Sequence, residues 1–112
     1  MIGLTVNNLR EIFRSMQQFR AMYEDTGRSE IRTEIGEISL FDLEYLLEEA
    51  EKRLSHRQSQ AIQLCLVQQM REQDAAVVMG IAPSNPVAMY ATDGLRRLVV
   101  MIEQNELPRM RK

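Results

Sequence analysis

One cysteine, Cys65, stands in 112 residues, so no internal disulfide can form and a disulfide-built secreted scaffold is not expected. Three prolines and five glycines are too few to interrupt the chain broadly, which argues against global disorder. No apolar run approaches the roughly 20 residues that a spanning helix needs. The N-terminus also lacks the basic start and apolar stretch of an export signal. Neither membrane insertion nor secretion is therefore expected, and a reducing, cytoplasmic location is. His56 has no second histidine and Cys65 no second cysteine, and there is no Gly-rich phosphate loop and no HExxH-type motif. The expectation is a protein with no enzymatic activity, no cofactor and no metal, in which Cys65 is a small buried hydrophobe and His56 a surface residue.

What is present is the composition of an ordinary soluble domain: 45% apolar and 27% charged residues, with eight methionines to fill a helical core. The formal charge of -2 opposes nucleic-acid binding, which is driven by neutralising phosphates. Its distribution is uneven. Residues 24–51 carry ten acidic side chains against Arg28 and Arg32, whereas from Ser55 onward seven basic residues outnumber five acidic ones.

Apolar spacing predicts the elements. Leu9, Ile12, Met16, Phe19 and Tyr23 recur at helical intervals, so a helix is expected over 6–23, capped by Asn7 or Asn8. That narrow seam fits a homodimer interface, while Phe13 widens the stripe toward packing on the chain's own core, and both readings stay open. Over 25–38 the pattern fails, and a loop with at most a short extended stretch is expected around Ile31, Ile35 and Ile38. Ser39 with Asp42 marks a helix start, and Leu40, Leu43, Leu47, Ala50 and Leu54, supplemented by Phe41 and Leu46, form its buried face, with Glu44, Glu48, Glu49 and Glu51 off it. Ser55 caps the next helix, in which Ala61, Ile62, Cys65 and Leu66 share a face. A short helix over 71–79 ends at Gly80. Asn85 as cap with Pro86 as first helical residue starts the last helix, which turns Val87, Ala91, Leu95, Leu98 and Ile102 inward.

Two stretches in this half carry a family resemblance. Leu54-Ser55-His56-Arg57-Gln58-Ser59-Gln60-Ala61-Ile62 looks like the Leu-Pro-x-Arg-Gln-x-x-x-Ile/Leu opening of region four of bacterial RNA polymerase sigma factors. Asp74-Ala75-Ala76-Val77-Val78-Met79-Gly80-Ile81 resembles its Glu-Ile-Ala-x-Leu-Leu-Gly-Ile/Val signature, and Val87, Leu95 and Leu98 match its recognition helix, with Ala91 in place of a leucine. The resemblance spans about residues 54–98 and implies a helix-turn-helix in which double-stranded DNA is met by Arg71, Ser84, Asn85, Ala88, Met89, Thr92, Arg96 and Arg97. In such a helix Ala88, Met89 and Thr92 stand where base edges are read, while Arg71, Arg96, Arg97 and the amides near Asn85 contact phosphates.

The expected architecture is thus all-α, with about five helices. Residues 1–53 form an N-terminal helical arm, acidic loop and packing helix, 54–104 the helix-turn-helix, and 105–112 a tail made basic by Arg109, Arg111 and Lys112. The expected function is that of a small transcription regulator of bacterial or phage type that binds DNA and contacts RNA polymerase. One alternative is a protein-interaction module that keeps the fold without reading DNA, using Met89, Tyr90 and the acidic segment. Another is the DNA-recognising small subunit of a phage packaging terminase, which requires a ring-shaped oligomer.

Overall fold

The computed structural model describes residues 4–82 and 86–107. Among them are six α-helices and one β-hairpin, in the order α1 (Val6–Arg14), α2 (Met16–Thr26), β1 (Glu30–Thr33), β2 (Gly36–Ser39), α3 (Leu40–Arg53), α4 (His56–Ala61), α5 (Glu72–Met79) and α6 (Val87–Glu103). α4 runs on as a π-helical stretch over Ile62–Val67.

The expected helix over 6–23 is two helices. Thr5, not Asn7 or Asn8, caps α1: its hydroxyl accepts the Asn8 N–H at 3.1 Å while the Asn8 side chain accepts the Thr5 N–H at 3.1 Å. The break falls at Ser15, where neither proline nor glycine announces it. The Ser15 hydroxyl donates to the Glu11 carbonyl at 3.0 Å, the back-bonding that bends helices, and the backbone there leaves helical geometry. α2 then runs to Thr26 and stops at Gly27, whose φ of 74° needs no side-chain strain.

The hairpin overturns the all-α expectation and gives a mostly helical fold with a small antiparallel sheet. β1 and β2 pair in the register Ile31 opposite Ile38 and Arg32 opposite Glu37, around a turn at Glu34 and Ile35. Thr33 holds that turn, its hydroxyl donating to the Gly36 carbonyl at 2.7 Å. Each strand has four residues and one isoleucine, so alternation is too brief to stand out; Ile31 of β1 is buried, Ile38 of β2 half-buried, and the turn itself buries Ile35.

α3 has the expected bounds and cap, the Ser39 hydroxyl accepting the Phe41 N–H at 3.2 Å. Two side chains depart from expectation. Phe41 is exposed, edge-on to Tyr23 with ring centroids 5.4 Å apart, whereas Glu49 is buried. Burial pushes the Glu49 carboxyl up, but Arg53 at 3.2 Å and Lys52 at 3.5 Å outweigh it and hold the group below the ordinary carboxylate range. The capping box at the start of α4 uses Ser55 and Gln58. Its π-helical continuation buries Leu64 and Val67 as well as Ile62 and Leu66, and leaves Cys65 half-buried.

α6 is the central member of the core, with Val87, Leu95 and Leu98 almost wholly enclosed. α4 crosses it so closely that a Cβ on Gly94 would lie 2.9 Å from Ile62 Cδ1 and 3.3 Å from Gln58 Cβ. α1 packs on α6 and on the π-helical stretch. One hydrophobic cluster runs from Leu4 and Leu9 through Leu54 to Leu107, so residues on both sides of position 54 share a single core. Leu9, Ile12 and Met16, three of the five residues of the seam considered for a homodimer, are spent inside it; Phe19 is half-buried and Tyr23 lies at the surface.

Candidate nucleic-acid interface

The link between α5 and α6 begins with a glycine that local geometry demands. Gly80 has φ 71°, its N–H donates to the Val77 carbonyl at 3.1 Å, and the Ile81 N–H reaches back to the Ala76 carbonyl at 3.0 Å. These paired bonds close the end of α5 and send the chain away from it. Ala75 and Ala76 are fully buried, which lets α5 approach its neighbours. At the far side of the link the helix begins at Val87 with Pro86 at the cap position, one residue before the first-turn placement expected for it. Ser84 and Asn85 lie outside the described residues, as do Arg109, Arg111 and Lys112 of the tail.

The remaining expected DNA contacts divide into two groups. Ala88, Met89, Arg71 and Arg96 are exposed, with Arg71 paired to Asp74 at 3.3 Å and Arg96 to Asp93 at 3.2 Å. Thr92 and Arg97 are engaged by the fold itself. The Thr92 hydroxyl accepts from Arg10 of α1 at 2.9 Å. Arg97 donates to the Gln58 side chain at 2.9 Å and to the Arg53 carbonyl at 3.1 Å, tying α6 to the junction of α3 and α4. Tyr90 is likewise held, by Arg57, which donates to its hydroxyl at 3.1 Å and lies 5.8 Å from the ring centre.

Several residues that sequence patterns did not single out sit at this surface. Glu72, in the first turn of α5, accepts the Ala88 N–H at 3.1 Å, so an amide at the start of α6 is already occupied by a carboxylate of the same chain. Arg10 and Arg14 of α1 face the same region; α1 lies outside the stretch that carries the resemblance, and no local signal links them to α6. Val77 and Val78 on α5 are 72% and 56% exposed, and Met89 on α6 is 59% exposed. Cys65 is half-buried, and burial together with the charge of Glu72 pushes its thiol up, away from the reactive thiolate. Among the described residues no cluster of three or more His, Cys, Asp or Glu side chains could hold a metal ion, and no helix is long and apolar enough to cross a membrane.

No family model, curated protein or solved structure matches the chain.

Proposed function

We propose that α5, the Gly80 turn and α6 work as a helix-turn-helix of the sigma region-four type, and that the protein binds double-stranded DNA as a small transcription regulator in the cytoplasm. The observation that carries this reading is the pose of α6. Val87, Ala91, Leu95 and Leu98 anchor one side of the helix, which leaves Ala88 and Met89 exposed in its first turn. With alanine and methionine there, and Thr92 bonded to Arg10, the early helix offers apolar contact to thymine methyls but no paired hydrogen bonds to a base. Binding is therefore mostly electrostatic, with Arg71 and Arg96 as phosphate contacts and little sequence preference.

The test is a fluorescence titration of several duplex sequences across a salt series. The expected result is a steep loss of affinity with salt and similar affinities for all sequences, with Arg96→Gln flattening the slope by about one unit. Absence of binding to any duplex at low salt would refute the reading.

A second reading is favoured by the exposure of Val77, Val78 and Met89. Large apolar side chains outside the core mark protein contacts, and in a transcriptional protein RNA polymerase is the fitting partner. Val77→Lys with Val78→Lys would then abolish the protein contact and leave folding intact.

A further inference from the structure

Between α1, the π-helical stretch and the starts of α5 and α6 lies an open groove of about 580 Å³, lined by Asn7, Arg10, Arg14, Arg71, Glu72 and Thr92 among others. Arg10 and Arg14 are one helical turn apart on α1, and Arg71 comes from the segment just before α5, so three guanidinium groups from two parts of the chain meet at one groove. Arg10 uses one of its five N–H groups on Thr92. The side chains of Arg14 and Arg71 are 52% and 84% exposed, and their partners are surface carboxylates three residues away, Glu11 at 3.8 Å and Asp74 at 3.3 Å. Such pairs contribute little and exchange readily for a better anion.

We propose that this groove seats the phosphate backbone of duplex DNA, making α1 part of the DNA-binding surface beside α5 and α6. The proposal rests on the DNA reading above and adds to it contacts from a helix outside the region-four resemblance. Planar guanidinium groups match phosphate oxygens in pairs, which a compact ammonium does not. The two acidic groups in the groove set its strength. Glu11 is drawn off by Arg14, whereas Glu72 remains as an internal anion held by the Ala88 N–H. Glu72 opposes an incoming phosphate, and neutralising it strengthens binding.

The experiment is a fluorescence titration of a short labelled random duplex across a salt series. The proteins compared are the parent, Arg14→Gln with Arg71→Gln, Glu72→Gln, and a control, Arg28→Gln with Arg32→Gln, altered at and just before β1. Circular dichroism of each protein establishes that it is folded. Loss of both groove arginines is expected to flatten the slope of log affinity against log salt by about two units. Glu72→Gln, whose amide oxygen still accepts the Ala88 N–H, is expected to tighten binding several-fold, and the control to leave the slope near the parent's. If the parent binds but the groove variant keeps its slope, flattens it by only about one unit, which Arg71 alone accounts for, or flattens it no more than the control does, the groove proposal falls, and the DNA reading stands on Arg96, joined by Arg71 where one unit is lost. Tightening by Glu72→Gln cannot rescue it in that case. If the parent binds no duplex at low salt, both fall.

Discussion

Gly94 is the position at which the closest helix crossing can be tested by single atoms. A glycine inside a 17-residue helix costs about 1 kcal/mol relative to alanine, so its presence there needs a compensating contact. The compensation is the approach of α4 and its flanking residues: Ile62 Cδ1 of the π-helical stretch, Leu54 Cδ1 just before α4 and Gln58 Cβ of α4 would lie 2.9, 3.2 and 3.3 Å from an added Cβ. The first two are ends of flexible side chains and can yield. Gln58 Cβ adjoins the backbone and can yield only if α4 moves. For Gly94→Ala the helix gain of about 1 kcal/mol therefore meets a packing cost of similar size, and the net change should stay within about 1 kcal/mol. Gly94→Leu adds three more carbons at the same crossing, and overpacking should dominate by about 3 kcal/mol or more. Urea unfolding monitored by circular dichroism measures both. Ile62→Val removes the nearest atom, so Gly94→Ala should be better tolerated in that background, with a coupling of about 0.5 kcal/mol or more. Unchanged stability of Gly94→Leu would refute the close approach of α4 and α6 at this residue.

Gly80→Val should lower stability by about 1 kcal/mol or more, because φ of 71° is strained for a β-branched residue although nothing lies within 4 Å of the added Cβ; thermal unfolding reads this directly. Ile12→Glu places a carboxylate in the core, and sedimentation together with circular dichroism should find the protein unfolded rather than a dimer dissociated to folded monomers. Glu49 ties its stabilisation to pH. Its carboxyl is held below the ordinary range in the folded chain, so the contribution is present above the unfolded value of about 4.3 and is lost as pH falls through the folded value. Urea midpoints for the parent and Glu49→Gln should accordingly converge at the acid end of a pH series; parallel curves would contradict the pairing with Arg53 and Lys52.

The elements that were legible in the sequence carry their signals locally. Ser39 before α3, Ser55 before α4, and Gly80 after α5 act on backbone groups within a few residues, and the inward set Val87, Ala91, Leu95, Leu98 and Ile102 spans enough turns for its period to show. The hairpin escapes the sequence pattern because its two four-residue strands hold one core isoleucine between them, Ile31, with Ile38 half-buried and Ile35 in the turn, and their worth comes from pairing with each other and from β2 packing on α3. The division of 6–23 was missed for a related reason. A serine in a helical pattern does not reveal whether it will bond back to the preceding turn, and the apolar period continues across Ser15 as if the helix did.

The candidate site divides along the same line. From the sequence alone came the two helices, the glycine turn between them and the apolar anchors that decide which side of α6 faces inward, since each depends on backbone conformation or periodicity over neighbouring residues. Which polar side chains remain available at that surface was decided only in three dimensions. Thr92 is bonded to Arg10, 82 residues away, and Arg97 to Gln58, 39 residues away, while Glu72 and Ala88 meet across the turn. A side chain on an exposed helix face carries no local mark of the partner that folding brings to it. Hydrogen-bond partners of that kind are set by how whole helices pack: α1 takes up Thr92, while α4 and the end of α3 take up Tyr90 and Arg97.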